Sequence, residues 1–171
     1  PGVVIGTFDL GWNIIGSTMS NDWRNNAVKL NVNSIRQRLQ KLEQYIDELE
    51  KQQPITLTTF RNDFTRQLAV ERAFQAAIES CTDIASHIVS VYRLGGPEGN
   101  RDVFRFLIEA GYLEAPLGEA MMAMVGFRNR IVHLYWDIDV ERLYKYLHED
   151  VPLLHQFRNF TLQILTAEEE V

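Results

Sequence analysis

The sequence predicts an all-α fold, a single up-and-down helical bundle of four long helices and one short one, on three observations. Apolar residues recur three and four apart over long stretches, the spacing that gathers them on one helix face. The strongest breakers, Pro54 and the run Gly95-Gly96-Pro97-Glu98-Gly99, fall between those stretches. The chain has 171 residues, 46 % of them apolar, enough for one hydrophobic core and one domain.

Residues 1–27 are expected to be an N-terminal extension ahead of a bundle domain spanning residues 28–171. Residues 1–18 read unlike the rest, with Gly2, Gly6, Gly11 and Gly16 separating short β-prone runs. They are expected to lie upstream of the natural protein, with Met19-Ser20-Asn21 as its start.

The first helix is placed at Asn31–Gln52, where Val32, Ile35, Leu39, Leu42, Ile46 and Leu49 form one apolar seam and Pro54 ends the pattern. Arg36, Arg38, Lys41, Glu43 and Glu48 lie off the seam and are expected on a solvated face. A second, long helix is placed at Thr58–Arg93, with Val70, Phe74, Ala77, Cys81, Ile84, Ile88 and Val91 as its seam. A polar stripe on it carries Arg72, Glu79, Asp83 and His87, the last three at intervals of four. This stripe reads either as a surface ion-pair ladder or as one wall of a functional cleft. The di-metal bundles need Glu-x-x-His pairs, which this sequence lacks, so no metal site is expected.

Asn100 is expected to cap a short third helix, Arg101–Ala110, closed by Gly111 at C′. Arg101 and Arg105 share a face there and are weak phosphate candidates. Pro116 suits the first turn of a fourth helix. Its Met121, Met122 and Met124 read as core filler, and Gly126 as a place where another helix comes close. Asp139 should cap a fifth helix, with Leu143, Leu147, Val151, Leu154 and Phe157 as its apolar face and a kink at Pro152. His148 and His155 read as ordinary surface histidines.

The chemistry concentrates at the end of the fourth helix, in Phe127-Arg128-Asn129-Arg130-Ile131-Val132-His133-Leu134-Tyr135. Polar side chains removed from water cost about 1–3 kcal/mol each unless hydrogen-bonded, so this cluster lines a cleft or an interface. At about 100° per residue, Arg128 and Tyr135 share one stripe and Asn129 and His133 another, whereas Arg128 and His133 point roughly 140° apart. For those two to work together, the helix must loosen near His133, or the arginine must bend round, or a second copy of the chain must contribute. The plainer reading is that cations in a last helical turn complement its negative end.

The segment from Arg128 to Tyr135 resembles the Arg-x4-His-x-Tyr signature of HepT, the toxin half of the MNT–HepT toxin–antitoxin pairs within the HEPN superfamily. The resemblance extends over roughly Val32 to Ile164 through Glu71–Glu79, Cys81–His87, Asp102–Leu107 and Leu147–Pro152. It implies the HEPN helical fold, a homodimer with two motifs facing each other across a cleft, and a cognate MNT-type nucleotidyltransferase as antitoxin, in a higher assembly with the toxin. It also implies a metal-independent endoribonuclease with no cofactor, with Arg128 and His133 as its catalytic pair. In that chemistry Asn129 or Asp83 would hold the histidine tautomer and Arg130 is a weaker phosphate candidate; the resemblance makes Tyr135 the residue that receives AMP from the nucleotidyltransferase. The alternative is a non-catalytic helical module that binds a nucleotide or a partner.

Charge and cysteine content bound these expectations. The net charge is −6, so a dimer would carry 2 × (−6) = −12, and any RNA must be held by a local patch against a repulsive overall field. Cys81 is the only cysteine, which excludes an intrachain disulfide and suits a reducing, cytoplasmic setting. No apolar run approaches the ~20 residues needed to cross a bilayer, so no membrane partner is expected.

Overall fold

The computed structural model describes residues 30–133 and 139–169, and the described residues form seven helices with no strand. They are α1 (Val32–Gln52), α2 (Leu57–Arg61), α3 (Phe64–Val91), α4 (Asp102–Glu109), α5 (Ala115–His133), α6 (Val140–Glu149) and α7 (Val151–Glu169). The segment 1–29, with the expected extension, lies outside the described residues, as does 134–138.

The seams are where the periodicity puts them. Ile35, Leu39, Leu42, Ile46 and Leu49 of α1 are buried, as are Val70, Phe74, Ala77, Cys81, Ile84 and Ile88 of α3. Each large side chain so buried contributes roughly 1.5–3 kcal/mol. The Asn31 backbone N–H meets His87 Nε2 at one end of the α1–α3 pair, and Arg66 Nη1 meets Gln52 Oε1 at the other, so the two helices run antiparallel. Helix α7 also runs antiparallel to α1: His155 pairs with Glu50, Arg158 with Glu43 and Arg36 with Glu169. Burial pushes the Cys81 thiol far above its ordinary pKa, so it is an inert core group.

The expected helix over Thr58–Arg93 is two helices. Asn62 ends α2, and the Asp63 carboxylate accepts the Arg66 backbone N–H to cap α3. This break carries Phe60, fully buried, against the Tyr144 ring of α6 at 5.7 Å. The expected kinked fifth helix is likewise two. Asp139 caps α6 as expected, accepting the Arg142 N–H, but the chain stops at Asp150 and restarts, with Pro152 in the first turn of α7. A proline cannot bond the carbonyl four residues back and collides with it, so a restart relieves both defects. Burial beside the Glu149 carboxylate raises the Asp150 carboxyl to about 6.

Asn100 does not cap α4. Arg101 occupies the cap position without a side-chain bond, and Asp102 instead reaches back to the Glu98 N–H at 3.0 Å. Gly111 does close α4, at φ +74°, where an L side chain would be strained. Arg105 is held by Asp102 and Glu109, which removes it from the phosphate candidates. His148 is exposed, as expected, and its ring nitrogens stand 2.9 Å from the Tyr144 carbonyl and 3.1 Å from the Gln53 carbonyl at the end of α1.

Close helix approach occurs at Gly118, not Gly126. A Cβ at Gly118 would lie 2.5 Å from both Cδ1 and Cγ1 of Ile108, whereas one at Gly126 meets nothing within 4 Å among the described residues. Gly118→Ala is therefore expected to lower the melting temperature. Overpacking costs about 1–3 kcal/mol, which matches or exceeds the ~1 kcal/mol gained in helix propensity. A thermal unfolding curve at or above the parent's would show that α4 yields to the methyl.

Candidate functional site

Two aromatic contacts set the rotation of α5 at the motif. Phe127 is buried between Phe74 of α3, at 6.2 Å and edge-on, and Tyr146 of α6, at 4.1 Å. With Phe127 fixed inward, the next residue, Arg128, emerges along α3. It enters a polar cleft of about 240 Å³ lined by Glu79, Thr82, Asp83, Ser86 and Asn100. The polar stripe of α3 thus forms one wall of this cleft through Glu79 and Asp83, and Asn100 comes from the loop before α4.

Glu79, rather than Asp83, meets the arginine: its Oε2 stands 3.7 Å from Arg128 Nη2. That separation is too long for a hydrogen bond, and the carboxylate side chain is 57 % exposed, so the pair contributes little, about 0–1 kcal/mol. Arg128 Nε is buried with no partner among the described residues. The Nε edge of the guanidinium fork is therefore desolvated and unbonded, a state that costs free energy until an acceptor arrives.

Asp83 is paired with Arg38 of α1, 3.9 Å away, and stands on the rim between this cleft and a larger groove. His87, the last member of the stripe, is elsewhere: it accepts the Asn31 N–H at the start of α1. Burial and the nearby Arg38 charge lower its pKa below the usual imidazole value. A ring kept neutral in this way serves as the acceptor that anchors the first turn of α1.

Asn129 is exposed on α5, one turn before His133. The α5 backbone is helical through His133, so over this span the helix does not loosen to bring His133 toward Arg128. The side chains of Arg130 and His133 lie outside the described residues, as does the whole of Tyr135. Sequence reasoning named neither Glu79 as the arginine's partner nor Asn100 as a cleft residue. The four-residue interval of the stripe hinted at the first, and nothing local marked the second.

Among the described residues no helix is long and apolar enough to cross a membrane. Comparison with known proteins gives a consistent result. A family model described as ribonuclease HepT-like matches residues 36–160. The chain is 31 % identical to the tRNA nuclease HepT of Aphanizomenon flos-aquae over 139 residues, 80 % of this chain and 93 % of that one. It is 34 % identical to the mRNA nuclease HepT of Shewanella oneidensis over 109 residues, 64 % of this chain and 79 % of that one. In structure it is similar to the tri-AMPylated Shewanella oneidensis HEPN toxin solved in complex with its MNT antitoxin. There the TM-score is 0.69 at 28 % identity, over 76 % of this chain and 96 % of that one. Together with the all-α architecture and the arginine presented at the end of α5, the match over residues 36–160 places this chain in the HepT-like family.

Proposed function

We propose that this protein is the ribonuclease toxin of a toxin–antitoxin pair, a metal-independent endoribonuclease in which the RNA supplies its own nucleophile, the 2′-hydroxyl. The observation that carries this reading is Arg128 lining a polar cleft with its buried Nε unpartnered among the described residues. It lies on the same helix as His133, in a chain whose relatives are named mRNA and tRNA nucleases.

The chemistry follows from those groups. An imidazole with an unperturbed pKa near 6.5 accepts the 2′-OH proton and returns one to the departing 5′-oxygen. As the 2′-oxygen bonds to phosphorus and the P–O5′ bond breaks, negative charge grows on the phosphoryl oxygens. Arg128 meets it with a planar fork that stays charged at any working pH, exchanging its loose contact with Glu79 for two charge-assisted bonds. Asn129, four residues before His133, holds the ring's tautomer; Asp83 keeps the cleft rim in place through Arg38; Arg130 adds a second phosphate contact. The products are a 2′,3′-cyclic phosphate and a 5′-hydroxyl.

The test is cleavage by the purified protein with chelator present, followed by analysis of the new ends. An absolute need for divalent metal, or 5′-phosphate ends, would overturn this mechanism. Tight RNA binding without any cleavage would favour the non-catalytic module.

The working unit is a homodimer. The support is that a regular α5 leaves Arg128 and His133 five residues and roughly 140° apart, an angle that a histidine from a second copy bridges without the arginine bending round. The open side of Gly126 leaves room for a partner helix. Met121 and Met124 are core filler, as expected, and are buried within this chain.

A nucleotidyltransferase antitoxin silences the site by attaching AMP to Tyr135. The support is a related toxin of known structure, AMPylated and bound to its MNT antitoxin. An adenylyl phosphate there brings bulk and negative charge to the place where substrate phosphate must sit. Tyr135→Phe is therefore expected to cleave RNA at nearly the parent rate and to escape silencing. Incubation of both proteins with the antitoxin, ATP and Mg²⁺, then mass spectrometry and a cleavage assay, decides this. An AMP adduct of equal extent on both proteins would exclude Tyr135 as the switch.

A further inference from the structure

We propose that the groove between α1 and α3 is a track for single-stranded RNA that leads the substrate into the Arg128 cleft, an inference that rests on the ribonuclease reading. The groove encloses about 690 Å³ and shares Glu79 and Asp83 with the cleft, so the two spaces adjoin along those residues. Its floor is Ala76 and Ser80, both buried and small, which keeps the channel open between the helices. Its α1 wall runs from Ser34 to Tyr45, about 16 Å at 1.5 Å per residue, room for a few nucleotides.

The charges suit that occupant. The chain as a whole is acidic, at −6, yet the groove gathers Arg38, Lys41 and Arg72. Of the two carboxylates on its rim, Asp83 stands 3.9 Å from Arg38 and Glu79 makes a loose contact with Arg128. Lys41 and Arg72 have no carboxylate partner among the described residues, and both are exposed. They stand on opposite walls as two uncompensated cations. Gln37 and Gln44 add amide donors and acceptors to the α1 wall, and the half-buried Tyr45 adds an aromatic ring at its end. Cations, amides and an aromatic along a groove are what a nucleic-acid strand needs for backbone pairing and base stacking without sequence preference. A protein partner fits poorly, because it would have to desolvate Lys41 and Arg72, and the groove lacks the apolar centre of protein interfaces.

The test uses the full chain carrying both Lys41→Gln and Arg72→Gln. Binding of a fluorescent single-stranded RNA oligonucleotide is followed by anisotropy across a salt series, in a His133→Ala background that prevents cleavage. Loss of two phosphate contacts should lower the slope of log affinity against log salt by ~1.4, at about 0.7 per contact on a single strand. With His133 restored, KM for the long oligonucleotide should rise several-fold while cleavage of a dinucleotide is unchanged, because a dinucleotide reaches only the cleft. An unchanged salt slope and an unchanged KM overturn the track. So does an unchanged slope accompanied by a lower mass in light scattering or by lost antitoxin binding, since the groove would then be a protein interface. A parent protein that neither binds nor cuts the oligonucleotide overturns the ribonuclease reading itself, and that is read before any variant is made.

Discussion

Replacing His133 by alanine is expected to slow RNA cleavage by about 10²–10⁴-fold, the usual contribution of a positioned general acid–base, and to leave the fold intact. The fold should survive because α5 is anchored by other residues. Met121, Met124, Val125 and Phe127 are buried, and Phe127 is wedged between Phe74 and Tyr146. His133 lies at the end of the described part of α5, beyond those buried anchors. Activity and thermal unfolding should therefore separate. If purified His133→Ala cuts as fast as the parent, the general acid–base belongs to another group and the proposed chemistry fails.

Arg128→Lys is expected to lose about 10²–10³-fold in cleavage, the scale of removing one donor aimed at developing charge, although the formal charge is kept. A lysine offers a point charge where the guanidinium offers a fork, and it puts a methylene where the buried Nε–H of the arginine now stands. Stability should change little, because the Glu79 contact is loose and that carboxylate is exposed to solvent. The dimer proposal sharpens the test. Suppose that each site takes Arg128 from one chain and His133 from the other. Mixing inactive Arg128→Ala with inactive His133→Ala chains then creates heterodimers in which one site carries both native residues, and activity returns. Mixed chains that exchange subunits yet stay inactive would place both residues in one protomer.

The two splits in the expected helices mark the limit of periodicity as a guide. Val70 to Ile88 of α3 and Leu143 to Phe157 of α6 and α7 are spaced as helical seams, and they are buried as such. Periodicity continues across a break when both helices face the same core. What ends a helix is a capping group, and here the signal was the pair Asn62-Asp63. The same holds at Asp150-Val151-Pro152, where the proline ends one helix and fits the first turn of the next, and only the packing of α6 against α2 and α7 against α1 distinguishes a kink from a restart.

The sequence alone determined which faces are buried in α1 and α3, the left-handed closure of α4 at Gly111, and the cap at Asp139. Each is encoded within a few residues, by side-chain period, by glycine's tolerance of positive φ, or by a carboxylate beside free N–H groups. Tertiary structure alone decided that Glu79 meets Arg128, that Asn100 lines a cleft instead of capping a helix, and that Gly118 is the close contact. It also decided that Lys41 of α1 and Arg72 of α3 line one groove from opposite walls. Those pairings join residues far apart in the chain, and they depend on how Phe127 is clamped and how α1 lies along α3, which local spacing does not encode.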